Sequence, residues 1–196
     1  MAEISVEQIK KLKELSGAGL TDAKKALVEA DGDFDKALEA MRKKGLTKAE
    51  KRGDRETREG LVDAYIHDGR LGAIVEVNCE TSFVAKTEEF KTLAHQIAMQ
   101  VASMAPLYVS EDDIPEDVKA AKMKELEANF KGPEKMKEQI LAGQAKKAFS
   151  DKVLMNQPYI LDDSKTVEQF IKEAIAKTGE NITVRQFKRI ELGVTE

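Results

Sequence analysis

The chain has 196 residues, of which 41% are hydrophobic and 35% are charged, and its formal net charge is −4. This composition excludes wholesale disorder and argues against a dedicated nucleic-acid binder, because such domains are usually basic. A single cysteine and two histidines exclude an internal disulfide and a four-ligand Cys/His zinc site.

Residues 5–43 predict three short amphipathic helices. Ser5 and Gln8 have the spacing of a capping box at the start of the first helix. Gly17-Ala18-Gly19 ends it, and Asp33 is placed to cap the third helix. Apolar residues recur every three or four positions and mark the faces that we expect to be buried: Val6, Ile9, Leu12 and Leu15; Ala23, Ala26, Leu27 and Ala30; Phe34, Ala37, Leu38 and Met41.

Residues 42–58 carry eight basic and three acidic side chains. Almost no large apolar residue accompanies them, which predicts a solvated linker or an exposed extension of the third helix. A phosphate-binding strip is the functional alternative. We favour the linker, because no aromatic side chain is interleaved for stacking on bases.

Two runs rich in β-branched residues, 61–66 and 71–77, flank the pair Asp68-Gly69. An Asp-Gly pair between such runs is a strong signal for a β-hairpin. A long helix is predicted to follow from Thr87 until Pro106. Its expected buried face consists of Leu93, Ile97, Val101 and Met104.

The last third of the chain predicts both helices and extended segments. Residues 116–130 and 134–149 have the pattern of a helical hairpin, broken at Gly132-Pro133. Residues 153–161 are predicted to be extended, and Pro158 within them indicates a position at the edge of a sheet. A helix between Thr166 and Gly179, with a capping-box spacing at its start, and a strand over residues 181–192 complete the chain.

Together these elements predict an α+β fold. Residues 1–45 form an N-terminal three-helix bundle, residues 46–59 a basic linker, and residues 60–196 an α+β core. The core is expected to contain an antiparallel sheet and the helical hairpin.

Catalytic signatures are missing from the sequence. There is no phosphate-binding loop, no dinucleotide-binding fingerprint and no nucleophile elbow. Asp31, Asp33 and Asp35 imitate the start of a calcium loop, but Lys36 and Arg42 occupy the positions that need glycine and glutamate. The two histidines are isolated in sequence. We therefore predict no catalytic residue, no metal site and no cofactor.

Two residues near the end of the predicted hairpin need an interpretation. Cys79 is expected to be a partly buried small residue rather than a nucleophile, because no base neighbours it in sequence. Phe83 lies in a polar loop between strand and helix, where an aromatic ring is either buried in the core or offered to a partner. Spacing alone favours burial of Phe83.

Two separated segments of the sequence resemble the signatures of the elongation factor Ts family. Residues 15–27, Leu-Ser-Gly-Ala-Gly-Leu-Thr-Asp-Ala-Lys-Lys-Ala-Leu, are similar to the first signature. Residues 76–85, Glu-Val-Asn-Cys-Glu-Thr-Ser-Phe-Val-Ala, are similar to the second. Residues 179–185 resemble a third family segment, so the resemblance spans nearly the whole chain.

The resemblance implies a guanine-nucleotide exchange factor for elongation factor Tu, the GTPase that brings aminoacyl-tRNA to the ribosome. The N-terminal bundle would be ubiquitin-associated-like and would dock on the GTPase domain. Leu20 and Thr21 match the exposed contact positions of that bundle, at the start of the second helix, and Lys13 lies where the family can carry a basic contact residue. Such a factor supplies no catalytic group of its own and is therefore not an enzyme.

The resemblance also assigns a role to the second signature. Thr81, Ser82, Phe83 and Val84 match the family loop whose phenylalanine wedges near the magnesium of the partner's nucleotide and dislocates it. Thr178 and Gly179 match a second contact, on the side of the partner's phosphate-binding loop. Ser82 departs from the family, which usually has aspartate there, so any contribution of that carboxylate is lost.

Three further expectations concern partners and location. Only one hairpin, signature loop and long helix are found, and short family members pair, so we expect a homodimer. No direct contact with nucleic acid or membrane is expected, and neither a membrane span nor a secretory signal is visible, so we expect a cytoplasmic location. The alternatives are a ubiquitin-associated-like adaptor without exchange activity and nucleic-acid binding through residues 42–58.

Overall fold

The computed structural model describes residues 4–130 and 136–194. The predicted break at Gly132-Pro133 lies outside the described residues. The helices are α1 Val6–Ser16, α2 Leu20–Glu29, α3 Phe34–Glu50, α4 Ser82–Ala85, α5 Glu88–Met104, α6 Glu116–Ala128, α7 Lys137–Ser150 and α8 Val167–Thr178. The strands are β1 Glu59–His67, β2 Leu71–Cys79, β3 Pro158–Tyr159, β4 Asp162–Thr166 and β5 Ile182–Glu191.

The chain has the predicted α+β fold, with N-terminal helices followed by a core of helices and antiparallel sheet. It divides into two compact units. The first unit holds the chain up to residue 62 together with residues 76–94 and 169–184. The second holds residues 63–75, 95–168 and the chain from residue 185 onward.

The predicted helical bundle is formed by α1, α2 and α3. Ser5 and Gln8 make the capping box, and the Asp33 side chain accepts a hydrogen bond from the backbone N–H of Lys36 at 3.1 Å. Val6 and Leu15 are exposed, so the predicted buried face of α1 is wrong at both ends. Nine residues at 3.6 per turn place these two side chains on opposite sides of a helix. The buried core of the bundle consists of Leu12, Ala23, Ala26, Leu27, Ala37 and Met41.

The sheet has the strand order β1-β2-β5, with β2 in the centre. Asp68 and Gly69 connect β1 to β2 with φ angles of 49° and 65°. Positive φ at both central positions is the type I′ geometry that an Asp-Gly pair favours, so the predicted hairpin is confirmed. The Arg70 N–H closes the turn on the carbonyl of His67 at 2.9 Å.

The predicted long helix is confirmed as α5, and the Thr87 hydroxyl accepts a hydrogen bond from the N–H of Phe90 at 3.2 Å at its start. Met104, in the last turn, is exposed and is not part of the buried face. The expected extended segment 153–161 is interrupted by a 3₁₀ turn at Leu154–Asn156. Strand β4, which pairs with the short β3, was not predicted, because all five of its residues are polar.

Within the described residues, none of the helices combines the length and apolar character needed to cross a membrane.

Candidate functional site

The loop between β2 and α4 begins at a buried cysteine. Cys79 is fully buried, and its thiol donates a hydrogen bond to the carbonyl of Thr81 at 3.2 Å. Burial raises the pKa of the Cys79 thiol, and the negative charge of Glu180 raises it further. The expectation of a small buried residue is therefore confirmed. A thiol held in its neutral form is a poor nucleophile.

Thr81 is fixed by a carboxylate from a distant part of the sequence. Its hydroxyl donates to Glu180 Oε1 at 2.6 Å, and its backbone N–H donates to Glu180 Oε2 at 3.0 Å. The Thr81 hydroxyl oxygen also accepts from the N–H of Val84 at 3.5 Å and thereby caps α4. The Glu180 carboxylate thus accepts hydrogen bonds from both donors of Thr81, the first residue of the 81–84 loop.

In the preceding residue, Glu80, it is the side chain that accepts a hydrogen bond from the other segment. The Glu80 carboxylate accepts from the backbone N–H of Asn181 at 2.6 Å and from the guanidinium of Arg55 at 3.3 Å. The Asn181 N–H holds the pKa of Glu80 below its usual value, with Arg55 acting in the same direction. Glu80-Thr81 and Glu180-Asn181 therefore form a reciprocal four-residue arrangement, which we call the clasp.

Phe83 lies one residue beyond the start of α4, and its side chain is 84% exposed. The prediction of burial from spacing is wrong, whereas the exposure implied by the family resemblance is found. Helix α4 is a single turn capped by Thr81, and the Phe83 ring lies on the surface of this turn. Phe90, seven residues later, is 1% exposed and fills the core position instead.

Thr178 and Gly179 stand at the end of α8, directly before the clasp. The Thr178 hydroxyl donates to the carbonyl of Ala174 at 2.9 Å and accepts from the N–H of Glu180 at 3.3 Å. Gly179 has φ 81°, a left-handed conformation that ends the helix as predicted. Because Glu180 also binds Thr81, the structure brings the 81–84 loop and this helix end together.

The third group of candidate residues lies on the bundle. Lys13, Leu20 and Thr21 are all exposed, as their proposed contact role requires. They flank Gly17, which packs against the backbone of Lys177 at the end of α8. All three groups of candidate residues belong to the first compact unit.

The basic segment 42–58 is attached to its surroundings rather than free. Helix α3 continues through residue 50, so the first part of this segment is the extension of the third helix that was one of the predictions. Beyond it, the Arg52 guanidinium donates to the carbonyl of Ile175 at 3.4 Å, and the side-chain amide of Asn181 donates to the carbonyls of Gly53 and Arg55. Several of its cations pair with nearby acids, among them Lys43 with Glu39, Lys44 with Asp22, and Arg58 with Glu56.

The two histidines, isolated in sequence, share one neighbour in the fold. The Tyr65 hydroxyl lies 3.0 Å from His67 Nδ1, and the Tyr65 ring meets His95 edge-on. His95 Nδ1 lies 3.2 Å from a carboxylate oxygen of Asp63. Among the residues that the structure describes, no group of three or more His, Cys, Asp or Glu side chains is placed to hold a metal ion.

Comparison with known proteins gives a consistent result. A model of the family described as "Elongation factor TS" matches residues 4–194. Elongation factor Ts of Thermotoga maritima is 51% identical over 193 residues, 97% of each chain. Elongation factor Ts of Moorella thermoacetica is 50% identical over 194 residues, 97% of this chain and 96% of that relative. Elongation factor Ts of Rippkaea orientalis is 51% identical over 199 residues, 98% of this chain and 80% of that relative.

Proposed function

The chain belongs to the elongation factor Ts family, and we propose that it is the guanine-nucleotide exchange factor for elongation factor Tu in translation elongation. It binds the GDP-bound GTPase, displaces Mg²⁺ from the nucleotide site and promotes release of GDP, so that GTP can bind. The observation that carries this proposal is the exposed ring of Phe83 on a loop that the clasp holds in place.

Phe83 acts as the wedge of this mechanism. Covering a large exposed apolar ring with a partner's surface lowers the free energy of the complex, and such rings are typical anchors of interfaces. The free energy gained by burying Phe83 in the GTPase stabilises a conformation with poorly coordinated Mg²⁺. Thr81, Ser82 and Val84 complete the loop. The chain contributes no nucleophile, acid or base, because the reaction is an exchange of bound ligands.

Docking and exchange are separate tasks in this proposal. Lys13, Leu20 and Thr21 bind the GTPase domain through the N-terminal bundle, which brings the loop to the nucleotide site. Thr178 and Gly179 face the phosphate-binding loop of the partner. Linkage is reciprocal, so a partner state that holds GDP weakly when this protein is bound must also release this protein when GDP rebinds.

We further propose that the protein is a homodimer that pairs through the open face of its sheet. Ile66, Ile74, Ile190 and Leu192 line an apolar groove of about 360 Å³ on this face, in the second compact unit. Exposed apolar patches of this kind mark interaction surfaces. A second copy presents the same patch, so pairing about a twofold axis covers both at once.

The function is tested by measuring release of fluorescent GDP from elongation factor Tu with and without the 196-residue protein. Acceleration that saturates with protein concentration is the expected result. Binding without acceleration would instead indicate a ubiquitin-associated-like adaptor. A steep fall of affinity with salt in a parallel nucleic-acid titration would favour phosphate binding through residues 42–58.

A further inference from the structure

Both hydrogen-bond donors of Thr81 end on the carboxylate of Glu180, although the two residues are 99 positions apart in the chain. Hydrogen bonds to an ionised carboxylate are shorter and stronger than bonds between neutral groups. Two such bonds to one residue fix its orientation as well as its distance. The Thr81 hydroxyl is therefore already engaged within the chain.

Thr81 also determines the orientation of the 81–84 loop. Thr81 caps α4 through its bond with the N–H of Val84, and Phe83 lies between these two residues. A helix of four residues is too short to be stable by itself, so its direction depends on its attachments. Glu180 in turn is anchored by its own N–H on the hydroxyl of Thr178.

We propose that Glu180 is a positioning residue for nucleotide exchange. Its carboxylate orients Thr81 and thereby presents Phe83, on α4, to the GTPase. This inference rests on the proposed function. It also changes the role of Thr81, which acts by holding the loop rather than by touching the partner.

The first test compares the wild-type protein with E180A and E180Q in the GDP-release assay. E180A lowers the maximal release rate by at least about tenfold, because two charge-assisted bonds are lost. The concentration that gives half-maximal acceleration changes little, because the docking residues of the bundle are intact. E180Q gives an intermediate rate, since an amide oxygen accepts from one of the two donors.

The matched control is E29A, which removes a carboxylate whose ion pair with Lys25 is exposed. It leaves both the maximal rate and the half-saturation concentration unchanged. An E180A variant with the wild-type maximal rate would overturn the proposal. So would a variant in which only the half-saturation concentration changes.

A double-mutant cycle tests whether Glu180 acts through Thr81. T81V and E180A both remove the hydrogen bond between the Thr81 hydroxyl and Glu180, so the loss of rate in the double variant is smaller than the product of the two single losses, although T81V also removes the cap on the Val84 N–H. Single losses that multiply in full in the double variant would show that Glu180 does not act through Thr81, and would overturn the assignment.

A final measurement needs no partner. The chain contains no tryptophan, so F83W provides a single reporter in the free protein. E180A lowers the fluorescence anisotropy of the indole introduced by F83W, and unchanged anisotropy would overturn the proposal. If the wild-type protein fails to accelerate GDP release, the proposed function is wrong, and the anisotropy still decides whether Glu180 orients the loop.

Discussion

Gly17 packs directly on the main chain of Lys177. A β-carbon at position 17 would lie 2.8 Å from Lys177 Cα, closer than real β-carbons approach other heavy atoms. Gly17 also has φ 65°, which an L side chain adopts only with strain. The glycine that ends α1 therefore serves two purposes, because it turns the chain toward α2 and lets the bundle contact the end of α8.

Gly17→Ala is expected to lower the free energy of unfolding by about 1–3 kcal/mol, through left-handed strain and steric overlap with Lys177. Urea denaturation followed by circular dichroism measures it. Gly143→Ala is the matched control, because Gly143 lies in α7 and a β-carbon there would meet no heavy atom of another element within 4 Å. That control should raise the stability by about 0.5–1 kcal/mol. Equal effects of the two substitutions would contradict the close contact.

Phe83→Ala is expected to reduce the acceleration of GDP release by about 30-fold, the kinetic equivalent of losing one interface anchor. The free energy of unfolding should change by less than about 0.5 kcal/mol, because the ring is exposed. Phe90→Ala removes a buried ring and should cost about 3–5 kcal/mol of stability. Comparing unfolding curves and GDP release for both variants separates the interface from the core. If Phe83→Ala unfolds the protein, the wedge interpretation is wrong.

The sequence predicted those elements whose signals are local. The hairpin at Asp68-Gly69, the capping box at Ser5 and the end of α8 at Gly179 all depend on a few adjacent residues, and all were found as expected. The exposure of Phe83 could not be obtained from spacing, because an aromatic residue in a short loop is compatible with either environment. It depends on how the loop is held from outside.

The clasp was also beyond the reach of the sequence. Glu80 and Thr81 meet Glu180 and Asn181 only because β2 and β5 are neighbours in the sheet. Residues 179–185 resemble a family segment, but neither the charge nor the spacing of Glu180 indicates that it meets Thr81. The ion pair between Lys44 and Asp22 was missed for the same reason, since the two residues come from different helices of the bundle.

Ile74→Lys is expected to convert the proposed dimer into a monomer. Ile74 lies on the central strand β2 and faces the groove, so a charge there would be buried without a partner in a paired sheet. Sedimentation equilibrium of the wild-type protein should give twice the mass of one chain, and the variant should give the mass of one. Val28→Lys, at an exposed apolar residue of α2, is the control and should leave the dimer intact. A wild-type protein that is monomeric at all concentrations would refute the dimer, and a dimeric Ile74→Lys would refute this face.

The stability of the protein is expected to depend on pH through Glu80, whose pKa is lowered in the folded state. The Asn181 N–H and Arg55 favour the ionised carboxylate in the folded protein, so its pKa there is below the usual value of 4.5. A group with a lowered folded pKa stabilises the protein above its unfolded pKa, and this stabilisation is lost as the pH falls through the folded pKa. Glu80→Gln removes the charge at every pH. The wild-type protein should therefore be more stable than the variant at pH 7, and the difference should shrink as the pH falls below 4.5.

Urea denaturation of both proteins over a series of pH values measures this difference. The carboxylates of Asp33, Glu39, Glu111 and Asp162 also have lowered pKa values, but they are present in both proteins and cancel in the comparison. A difference in the free energy of unfolding that stays constant to the lowest pH at which both proteins fold would mean that the Glu80 charge is not what holds Asn181. The same pH series on GDP release would then show no loss of exchange before the protein unfolds. If the difference in stability disappears as expected, exchange should weaken over the same pH range, because protonation of Glu80 removes the charge that holds the Asn181 N–H.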